Sequence, residues 1–357
     1  MAINRDKSEQ RIRVLVVDDS ATVRSVICRE LGADPAIDVV GYARDGVEAL
    51  ERIRESKPDV ITLDIEMPRL NGLQTLQRLM EEMPSRVIMV SSLTREGADA
   101  TLDALDMGAL DFVTKPSSMG SAGLMSVVGE LIEKIKNVSR TRFVPKPRNF
   151  RQCRPAPPLA AARWRRRAVV IGSSTGGPQA LRALLPELPG DLAAPVLVVQ
   201  HMPPGFTRAL AERLDSTCAL RVEEAHPGSH AEAGKILLAP GGFHMKLRMN
   251  GDVELTQDKP ECSVRPAVNV TMESVVKLYG GDTLGVVLTG MGHDGTRGAE
   301  LIKAAGGHVI TEAESSCVVY GMPRSVVEAG LSDRSAPLDR VADAIVDMCR
   351  ENMRISA

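Results

Sequence analysis

Short apolar runs alternate with amphipathic stretches along the first part of the chain. Five runs rich in Val, Ile and Leu predict buried strands at residues 12–17, 39–40, 60–63, 87–90 and 110–113. Apolar positions recur at helical spacing at residues 22–31, 46–55, 73–82, 98–107 and 124–136. Because strands that alternate with helices build a parallel sheet covered on both faces, the pattern predicts a doubly wound α/β domain.

The same alternation returns in the second part of the chain. Apolar runs at residues 168–171, 195–200 and 284–288 predict strands buried on both faces, each followed by a turn and a helix. Shorter runs at 236–238, 245–247 and 253–255 predict a local antiparallel excursion. A chain of 357 residues is long enough for two domains of ordinary size, so we expect two doubly wound parallel-sheet domains.

The charge pattern divides the chain into the same parts. Residues 1–136 hold 17 basic and 23 acidic side chains, and residues 168–357 also hold 17 basic and 23 acidic ones. Residues 137–167, between them, hold 10 basic side chains and no acidic ones. The basic segment is rich in proline, which removes backbone donors. We therefore expect a first domain at 1–136, a semi-extended linker at 137–166 and a second domain at 167–357.

Composition excludes several classes of protein. No apolar run approaches the ~18 residues of a membrane span, and the first residues lack the apolar region of a signal peptide. Six scattered cysteines without a Cys-x-x-Cys pair argue against a disulfide framework or a thiolate zinc site. With 3% aromatic residues and acidic domains, nucleic-acid binding is disfavoured. We expect a cytoplasmic protein without membrane insertion or a nucleic-acid partner.

Polar side chains follow the predicted strands of the first domain, where open parallel sheets bind their ligands. The strand ends carry Asp18 and Asp19, Asp64, Ser91, and Lys115. Converging carboxylates favour Mg²⁺, and a carboxylate can be phosphorylated when a metal ion and a cation neutralise the phosphoryl oxygens. Alternatively, Asp19 and Ser20 only cap the next helix and Lys115 lies on the surface.

Three motifs of this domain resemble those of response-regulator receiver domains. They are Val-Val-Asp-Asp-Ser at 16–20, Leu-Asp-Ile-Glu-Met-Pro at 63–68 with Asn-Gly at 71–72, and Lys-Pro at 115–116. The resemblance covers about residues 10–130. It implies a flavodoxin-like fold and phosphate transfer from a histidine kinase to Asp64. The residues that it implicates are Asp18, Asp19, Asp64 and the main-chain carbonyl of Glu66 for Mg²⁺, and Ser91, Phe112 and Lys115 for the receiver switch.

A serine turn follows the first strand of the second domain. The sequence Gly-Ser-Ser-Thr-Gly-Gly-Pro at 172–178 contains Gly-x-Ser-x-Gly around Ser174, the pattern of a strand-to-helix elbow that exposes a nucleophile. The helix that follows offers backbone N–H groups to an oxyanion. Phosphate binding is the rival reading, although the turn lacks the Gly-Lys-Ser/Thr ending of a P-loop. Because Gly/Ser turns are common, the motif alone does not identify a nucleophile.

Two other strand ends offer a base and a carboxylate. His201 ends the second long strand, and Asp294 lies in a Gly-rich turn after the strand at 284–288. Adjacent parallel strands would bring Ser174, His201 and Asp294 to one edge, and geometry rather than chain order defines a triad. Alternatively, His201 is a packed histidine and Asp294 caps the next helix. His293 competes with His201 for the role of base.

The other histidines carry no comparable signal. They are His226, His230, His244 and His308, and they lie outside the Gly-rich turns at strand ends. Neither a His-x₃-His spacing nor a His/Cys pairing appears, so the sequence disfavours a zinc site built from histidines.

Residues 167–350 resemble the catalytic domain of the CheB family of chemotaxis protein-glutamate methylesterases. The matching stretches are 172–178, 200–206, 288–295 and 313–323. The resemblance implies a Rossmann-like esterase domain and assigns Ser174 as nucleophile, His201 as base, Asp294 as orienting carboxylate, and Thr175 and Met291 to the acyl site or oxyanion hole. Two positions depart from the family pattern, where His293 replaces the usual Asn and Asn269 stands where Asp is frequent.

These resemblances imply a function. The protein would hydrolyse glutamate γ-methyl esters on methyl-accepting chemoreceptors under control by phosphorylation, releasing methanol through an acyl-enzyme. It would also deamidate receptor glutamines, and the ester chemistry would need no cofactor. Two alternatives stay open: a response regulator whose output domain only binds a partner, and a DNA-binding regulator, which only the basic linker supports.

Overall fold

The computed structural model describes residues 11–115, 121–141 and 167–350 of the chain. They belong to two compact units, which divide after residue 147. Most of the predicted linker therefore lies outside the described residues. Its first residues do not, because the last helix of the first unit continues to Ser139 rather than ending at residue 136.

The first unit alternates strands and helices throughout. Its strands are β1 (Ile12–Val17), β2 (Ile37–Ala43), β3 (Val60–Asp64), β4 (Val87–Ser91) and β5 (Asp111–Thr114). Its helices are α1 (Ala21–Ala33), α2 (Gly46–Ser56), α3 (Gly72–Glu82), α4 (Arg95–Met107) and α5 (Ser121–Ser139). All five predicted strands and all five predicted helices are present, with bounds that differ by a few residues.

The sheet of the first unit has the order β2-β1-β3-β4-β5, and every pairing is parallel. This is the flavodoxin-like order, so the predicted fold is confirmed. Strands β3 and β4 are buried at every residue, because helices cover both faces of the sheet. The carboxyl ends of β1, β3 and β5 consequently meet at one edge of the domain.

The second unit has nine strands and six α-helices among its described residues. Its strands are β6 (Ala168–Ser173), β7 (Val196–Gln200), β8 (Arg221–Glu224), β9 (Lys235–Leu238), β10 (His244–Leu247), β11 (Val253–Thr256), β12 (Thr283–Val287), β13 (His308–Glu312) and β14 (Arg334–Ala336). Its helices are α6 (Gly177–Leu184), α7 (Phe206–Asp215), α8 (Val268–Tyr279), α9 (Thr296–Ala304), α10 (Met322–Glu328) and α11 (Leu338–Cys349). Short 3₁₀ turns follow α6 at Leu185–Glu187 and α8 at Gly280–Asp282.

Seven of these strands form one parallel sheet in the order β14-β13-β12-β6-β7-β9-β8. The predicted doubly wound parallel sheet is therefore confirmed. The prediction that the three short strands pair antiparallel is only partly correct. Strands β10 and β11 form an antiparallel hairpin, but β9 pairs in parallel with β7 and β8. The apolar pattern of β9 resembles that of the hairpin strands, and only its pairing with β7 and β8 distinguishes it.

Strand β6 lies at the centre of this sheet, between β7 and β12, and all three strands are buried at every residue. The chain first winds from β6 toward β7 and later returns to β12 on the other side. Such a reversal of strand order opens a crevice at the carboxyl ends of the strands, where α/β proteins bind their ligands. Among the described residues, no helix is long and apolar enough to cross a membrane.

Candidate functional sites

Three carboxylates gather at the carboxyl ends of β1 and β3. Oxygens of Asp18, Asp19 and Asp64 all lie within 4.8 Å of one another. Asp18 and Asp64 are buried, whereas Asp19 is exposed. Clustered carboxylates are hard oxygen donors that suit Mg²⁺, so these residues fit the predicted metal site.

Lys115 reaches this cluster from the end of β5. Its Nζ lies 2.7 Å from Asp64 Oδ2 and 3.0 Å from Asp18 Oδ2, so Lys115 forms ion pairs with both carboxylates. Burial raises the pKa of Asp64 to about 6, the charge of Asp18 adds to this shift, and Lys115 opposes it. Lys115 is therefore not a surface lysine but the cation of the cluster.

The alternative capping role falls to Ser20 rather than to Asp19. The Ser20 hydroxyl accepts a hydrogen bond from the backbone N–H of Val23 in the first turn of α1, and Asp18 accepts one from Ser20. Asp19 remains exposed beside the cluster. Its carboxylate is thus available to a metal ion.

The other residues of the predicted switch, Ser91 and Phe112, lie on β4 and β5. Ser91 is fully buried, and its hydroxyl contacts α4 through the Gly97 carbonyl at 3.1 Å and the Thr101 hydroxyl at 2.7 Å. Phe112 on β5 is also buried, with Nζ of Lys134 5.4 Å from the centre of its ring. Glu66 has an exposed side chain, and the role of its main-chain carbonyl stays a prediction.

The candidate residues of the second unit lie along the central strands of the seven-stranded sheet. Ser173 and Gln200 are register partners on β6 and β7, so Ser174 and His201 follow directly at neighbouring strand ends. The backbone N–H of His201 donates to the Ser173 carbonyl at 3.1 Å. Asp294 comes from the loop after β12, on the other side of β6. The strand ends that carry Ser174 and His201 are thus neighbours, and the loop of Asp294 follows the strand on the other side of β6.

His201 and Asp294 are in direct contact. His201 Nε2 lies 2.8 Å from Asp294 Oδ2, and Asp294 is only 2% exposed. The first backbone N–H groups of α8 also donate to this carboxylate, from Val268 at 2.6 Å and from Asn269 at 3.0 Å. Burial alone would raise the pKa of Asp294, but His201 and these two N–H groups outweigh it and lower the pKa.

The conformation of the serine turn depends on two glycines. Gly176 has a φ of 77°, a conformation that favours glycine, and it begins helix α6 without a side-chain cap. Gly290 lies behind the serine, where an added Cβ would come 2.8 Å from that of Ser174. The backbone N–H of Ser174 donates to the Thr289 carbonyl at 3.0 Å. These contacts join the turn after β6 to the loop after β12.

Thr175 and Met291 lie in the two turns that carry Ser174 and Asp294. Thr175 is buried, and its carbonyl accepts a hydrogen bond from the Thr289 hydroxyl at 2.9 Å. Met291 is half-buried in the loop that leads to Asp294. Both residues therefore border the turns that carry Ser174 and Asp294.

Sequence reasoning missed the support that Asn269 gives to Asp294. Oδ1 of Asn269 accepts hydrogen bonds from the backbone N–H groups of Gly295 and Gly298, at the start of α9. Asp294 precedes α9 but caps α8, while Asn269 lies on α8 but caps α9. The Arg-Pro-Ala-Val-Asn motif at 265–269 drew attention to Asn269, but only the fold shows this exchange of caps.

Cys262 and His293 lie close together in the fold, although no local spacing in the sequence relates them. Cys262 Sγ lies 3.7 Å from His293 Nε2, although the two residues are 31 positions apart. Burial and the nearby carboxylates of Asp294 and Glu261 raise the pKa of the Cys262 thiol. A pairing that depends on the tertiary fold leaves no local spacing in the sequence.

The second unit and the chain as a whole match known proteins. A family model described as CheB methylesterase matches residues 169–345, and one described as response regulator receiver domain matches residues 14–123. The crystal structure of the Thermotoga maritima CheB methylesterase catalytic domain matches with a TM-score of 0.50 and 46% identity, covering 52% of this chain and 99% of that one.

Two curated relatives extend the match to nearly the full chain. A protein-glutamate methylesterase/protein-glutamine glutaminase of Symbiobacterium thermophilum is 49% identical and covers 95% of this chain and 98% of its own length. A protein of the same name from Thermotoga maritima is 47% identical over 96% and 99%. Both family resemblances are thereby confirmed, and the chain belongs to the CheB family of protein-glutamate methylesterases/protein-glutamine glutaminases.

Proposed function

We propose that this protein hydrolyses glutamate γ-methyl esters on methyl-accepting chemoreceptors and deamidates receptor glutamines, with Ser174, His201 and Asp294 as its catalytic triad. The observation that carries the proposal is the 2.8 Å contact between His201 and the buried Asp294, beside the turn of Ser174. An ester and a primary amide present the same acyl carbon to a nucleophile, so one site serves both reactions.

His201 is suited to act as the general base. Asp294 accepts from its Nε2, which leaves the Nδ1 side of the ring for the proton of the Ser174 hydroxyl. The lowered pKa of Asp294 keeps this carboxylate ionised at neutral pH, where it stabilises the imidazolium that forms. The two N–H groups of α8 fix the carboxylate, so the histidine is oriented before the substrate arrives.

The reaction proceeds in two steps. Ser174 Oγ attacks the ester carbonyl while His201 takes its proton, and the proton then leaves with methanol, or with ammonia when the substrate is an amide. Water activated by His201 next attacks the acyl-enzyme and releases glutamate. The backbone N–H of Thr175, which follows the nucleophile, is the expected oxyanion donor, and Met291 borders the acyl group.

The receiver domain accepts phosphate on Asp64 from a histidine kinase. Mg²⁺, when bound by Asp18, Asp19, Asp64 and the main-chain carbonyl of Glu66, supplies charge neutralisation for the phosphoryl oxygens. Lys115 already lies 2.7 Å from the acceptor carboxylate, where it can pair with the phosphoryl group. Ser91 would turn from α4 toward the phosphate and Phe112 would change its orientation.

Release of methanol from methylated receptor membranes tests the triad. We expect Ser174→Ala to abolish release without unfolding the domain. The matched control is Ser173→Ala at the neighbouring position, where the buried hydroxyl donates to Gln200 Oε1 at 2.7 Å. This control should lose less than about tenfold in rate, because removal of a single hydrogen bond costs on the order of 1 kcal/mol.

Labelling by a fluorophosphonate probe separates the alternatives. The probe should label the wild type and Ser173→Ala but not Ser174→Ala. If folded Ser174→Ala keeps near-wild-type turnover, Ser174 is not the nucleophile and Ser173 becomes the candidate. If the wild type neither reacts with the probe nor releases methanol, the second domain is a binding module.

A further inference from the structure

The side chain of Gln200 lies between the strand ends that carry the proposed nucleophile and base. Gln200 is the last residue of β7, directly before His201, and it is 2% exposed. Its Nε2 donates to the main-chain carbonyl of Ser174 at 3.0 Å and to that of His201 at 3.2 Å. Its Oε1 accepts a hydrogen bond from the Ser173 hydroxyl at 2.7 Å. One buried amide group therefore joins the turn of the serine to the turn of the histidine.

The backbone of the serine turn packs tightly against this amide. A Cβ added at Gly177 would come 1.9 Å from Oε1 of Gln200, so the presence of Gln200 requires a glycine at that position. The backbone N–H of Gly177 also donates to the Ser174 carbonyl, at 2.7 Å. The main chain of Ser174 is thus held both by the start of α6 and by a side chain of β7.

Only an amide side chain supplies this combination of hydrogen bonds. Asparagine and glutamine carry two donors and an acceptor on one planar group, whereas an ionised glutamate carries acceptors alone. Here the two donors serve two main-chain carbonyls and the acceptor serves a hydroxyl. Ser173→Ala removes the acceptor's partner but keeps both donor contacts, in line with the small loss of rate expected for that variant.

We propose that Gln200 is a positioning residue for acyl transfer, which fixes the main chain of Ser174 relative to that of His201. This inference rests on the proposed function, because it concerns the distance between that nucleophile and that base. The amide is buried against the two turns, so it acts through Ser174 and His201 rather than on the ester. A displacement of about 1 Å between reacting groups can cost about 10²-fold in rate, so we expect kcat to fall and KM to change little.

Gln200→Glu tests the donor role through its pH dependence. Burial favours the neutral form of the new carboxyl group. When protonated, this group can donate to one carbonyl and accept from Ser173, but when ionised it has no donor and faces two carbonyl oxygens. Methanol release is measured with the full-length protein and divided by the wild-type rate at the same pH, so that the titration of His201 enters both rates. This relative rate should be at least about fivefold higher at pH 6 than at pH 8.5.

Counting reactive sites separates positioning from a loss of folded protein. End-point labelling by the fluorophosphonate probe gives the number of reactive serines, and each rate is expressed per labelled site. A purely structural role for Gln200 would lower the number of sites and leave the rate per site unchanged, which would overturn the proposal. The control Gln257→Glu changes an exposed glutamine of the same domain and should match the wild type at both pH values.

Gln200→Met decides the question if the glutamate variant does not fold. Methionine has a similar length but supplies neither N–H donor, so the rate per site should fall at least about tenfold at both pH values, with less than about a threefold change in KM. A wild-type rate per site in Gln200→Met overturns the role of Gln200 while the esterase stands. A wild type that neither reacts with the probe nor releases methanol overturns the proposed function, and the role of Gln200 falls with it.

Discussion

Two buried carboxylates of this protein have pKa values that move in opposite directions. Asp64 is 3% exposed and Asp294 is 2% exposed, so burial disfavours the charge on both. Asp64 has Lys115 as a partner but also the neighbouring charges of Asp18 and Asp19, and its pKa rises to about 6. Asp294 receives His201 and two backbone N–H groups, and its pKa falls. Burial acts on both residues, so the difference between their partners decides the direction in which each pKa moves.

We expect the raised pKa of Asp64 to make the receiver domain less stable as pH rises. Between the unfolded value near 3.8 and the folded value of about 6, the folded state binds more protons than the unfolded state. Stability therefore falls across this window, by about 1–3 kcal/mol in total. Urea unfolding in EDTA between pH 4.5 and 7 should show this slope for the wild type and a flatter one for Asp64→Asn. Parallel pH profiles of stability for the two proteins would show that the slope does not come from the raised pKa of Asp64.

Asp294→Asn should impair both catalysis and folding. Whichever way the new amide turns, its NH₂ group faces a backbone N–H of Val268 or Asn269, so a hydrogen bond is replaced by repulsion. We expect kcat to fall by about 10³–10⁴, less than for His201→Gln, and the free energy of unfolding to fall by about 1–3 kcal/mol. Methanol release and urea denaturation measure the two effects. Equal losses of kcat in Asp294→Asn and His201→Gln would contradict an orienting role for Asp294.

Much of the candidate site could be predicted from residues that follow strands. Asp64, Lys115, Ser174 and His201 all come at or directly after a buried apolar run, and such positions share one edge of a parallel sheet. The partners of Asp294 could not be predicted, because Val268 and Asn269 are 26 and 25 positions away in the chain. Contacts of this kind depend on how two loops pack after the sheet has formed.

At the scale of elements, α8 and α9 exchange their caps. Neither helix has a side-chain cap from its own N-cap residue, which is Ala267 for α8 and Gly295 for α9. Asp294, which precedes α9, instead accepts a backbone N–H of α8, and Asn269, which lies on α8, accepts a backbone N–H at the start of α9. The start of α8 thus holds the carboxylate of Asp294, the proposed orienting residue. Asn269 on α8 in turn holds the start of α9, which follows the Asp294 loop.

Asn269→Ala should loosen this pair of helices. The substitution leaves the N–H groups of Gly295 and Gly298 without their acceptor, and loss of a helix cap costs about 0.5–2 kcal/mol. Asn269→Asp keeps an acceptor at the same position and should retain most of the stability. Urea denaturation compares the three proteins, and kcat should fall more for the Ala variant than for the Asp variant. Equal stability of Asn269→Ala and wild type would show that the exchanged caps carry little energy.

Sequence analysis misplaced β9 and missed β8, β13 and β14, which all lie outside the three central strands of the sheet. Strand β9 has four residues, and its apolar pattern does not distinguish a parallel partner from a hairpin partner. Strands β8 and β14 have four and three residues with partly exposed patterns, and they form the two edges of the sheet. The central strands were predictable because burial on both faces demands continuous apolar runs.

At the scale of the whole molecule, two α/β units each carry candidate site residues at the carboxyl ends of their strands. Each unit has its own sheet and its own buried core. The basic segment that joins them lies largely outside the described residues, and its composition predicts a tether with little sequence specificity. A phosphorylatable domain joined to a hydrolase suggests that phosphorylation of Asp64 governs access to Ser174.

The last prediction concerns this control. If the unphosphorylated receiver occludes the catalytic edge, a fragment that begins at Arg165 should release methanol faster than the unphosphorylated full-length chain. Phosphorylation with a small phosphodonor and Mg²⁺ should raise the full-length rate toward that of the fragment, while Asp64→Ala stays at the basal rate. A change in the ratio of open to closed molecules from 1:99 to 99:1 needs about 5.5 kcal/mol, and a smaller change would still raise the rate of methanol release.

The fragment is the decisive protein in this comparison. A related catalytic domain has been crystallised by itself, and the second unit here has its own core, so the fragment should fold. Circular dichroism and fluorophosphonate labelling of Ser174 verify that it is folded and that its nucleophile is reactive. A fragment that is folded and labelled but no faster than the unphosphorylated chain would rule out occlusion. The receiver would then have to activate by direct contact with the catalytic domain or by recruitment to the receptor.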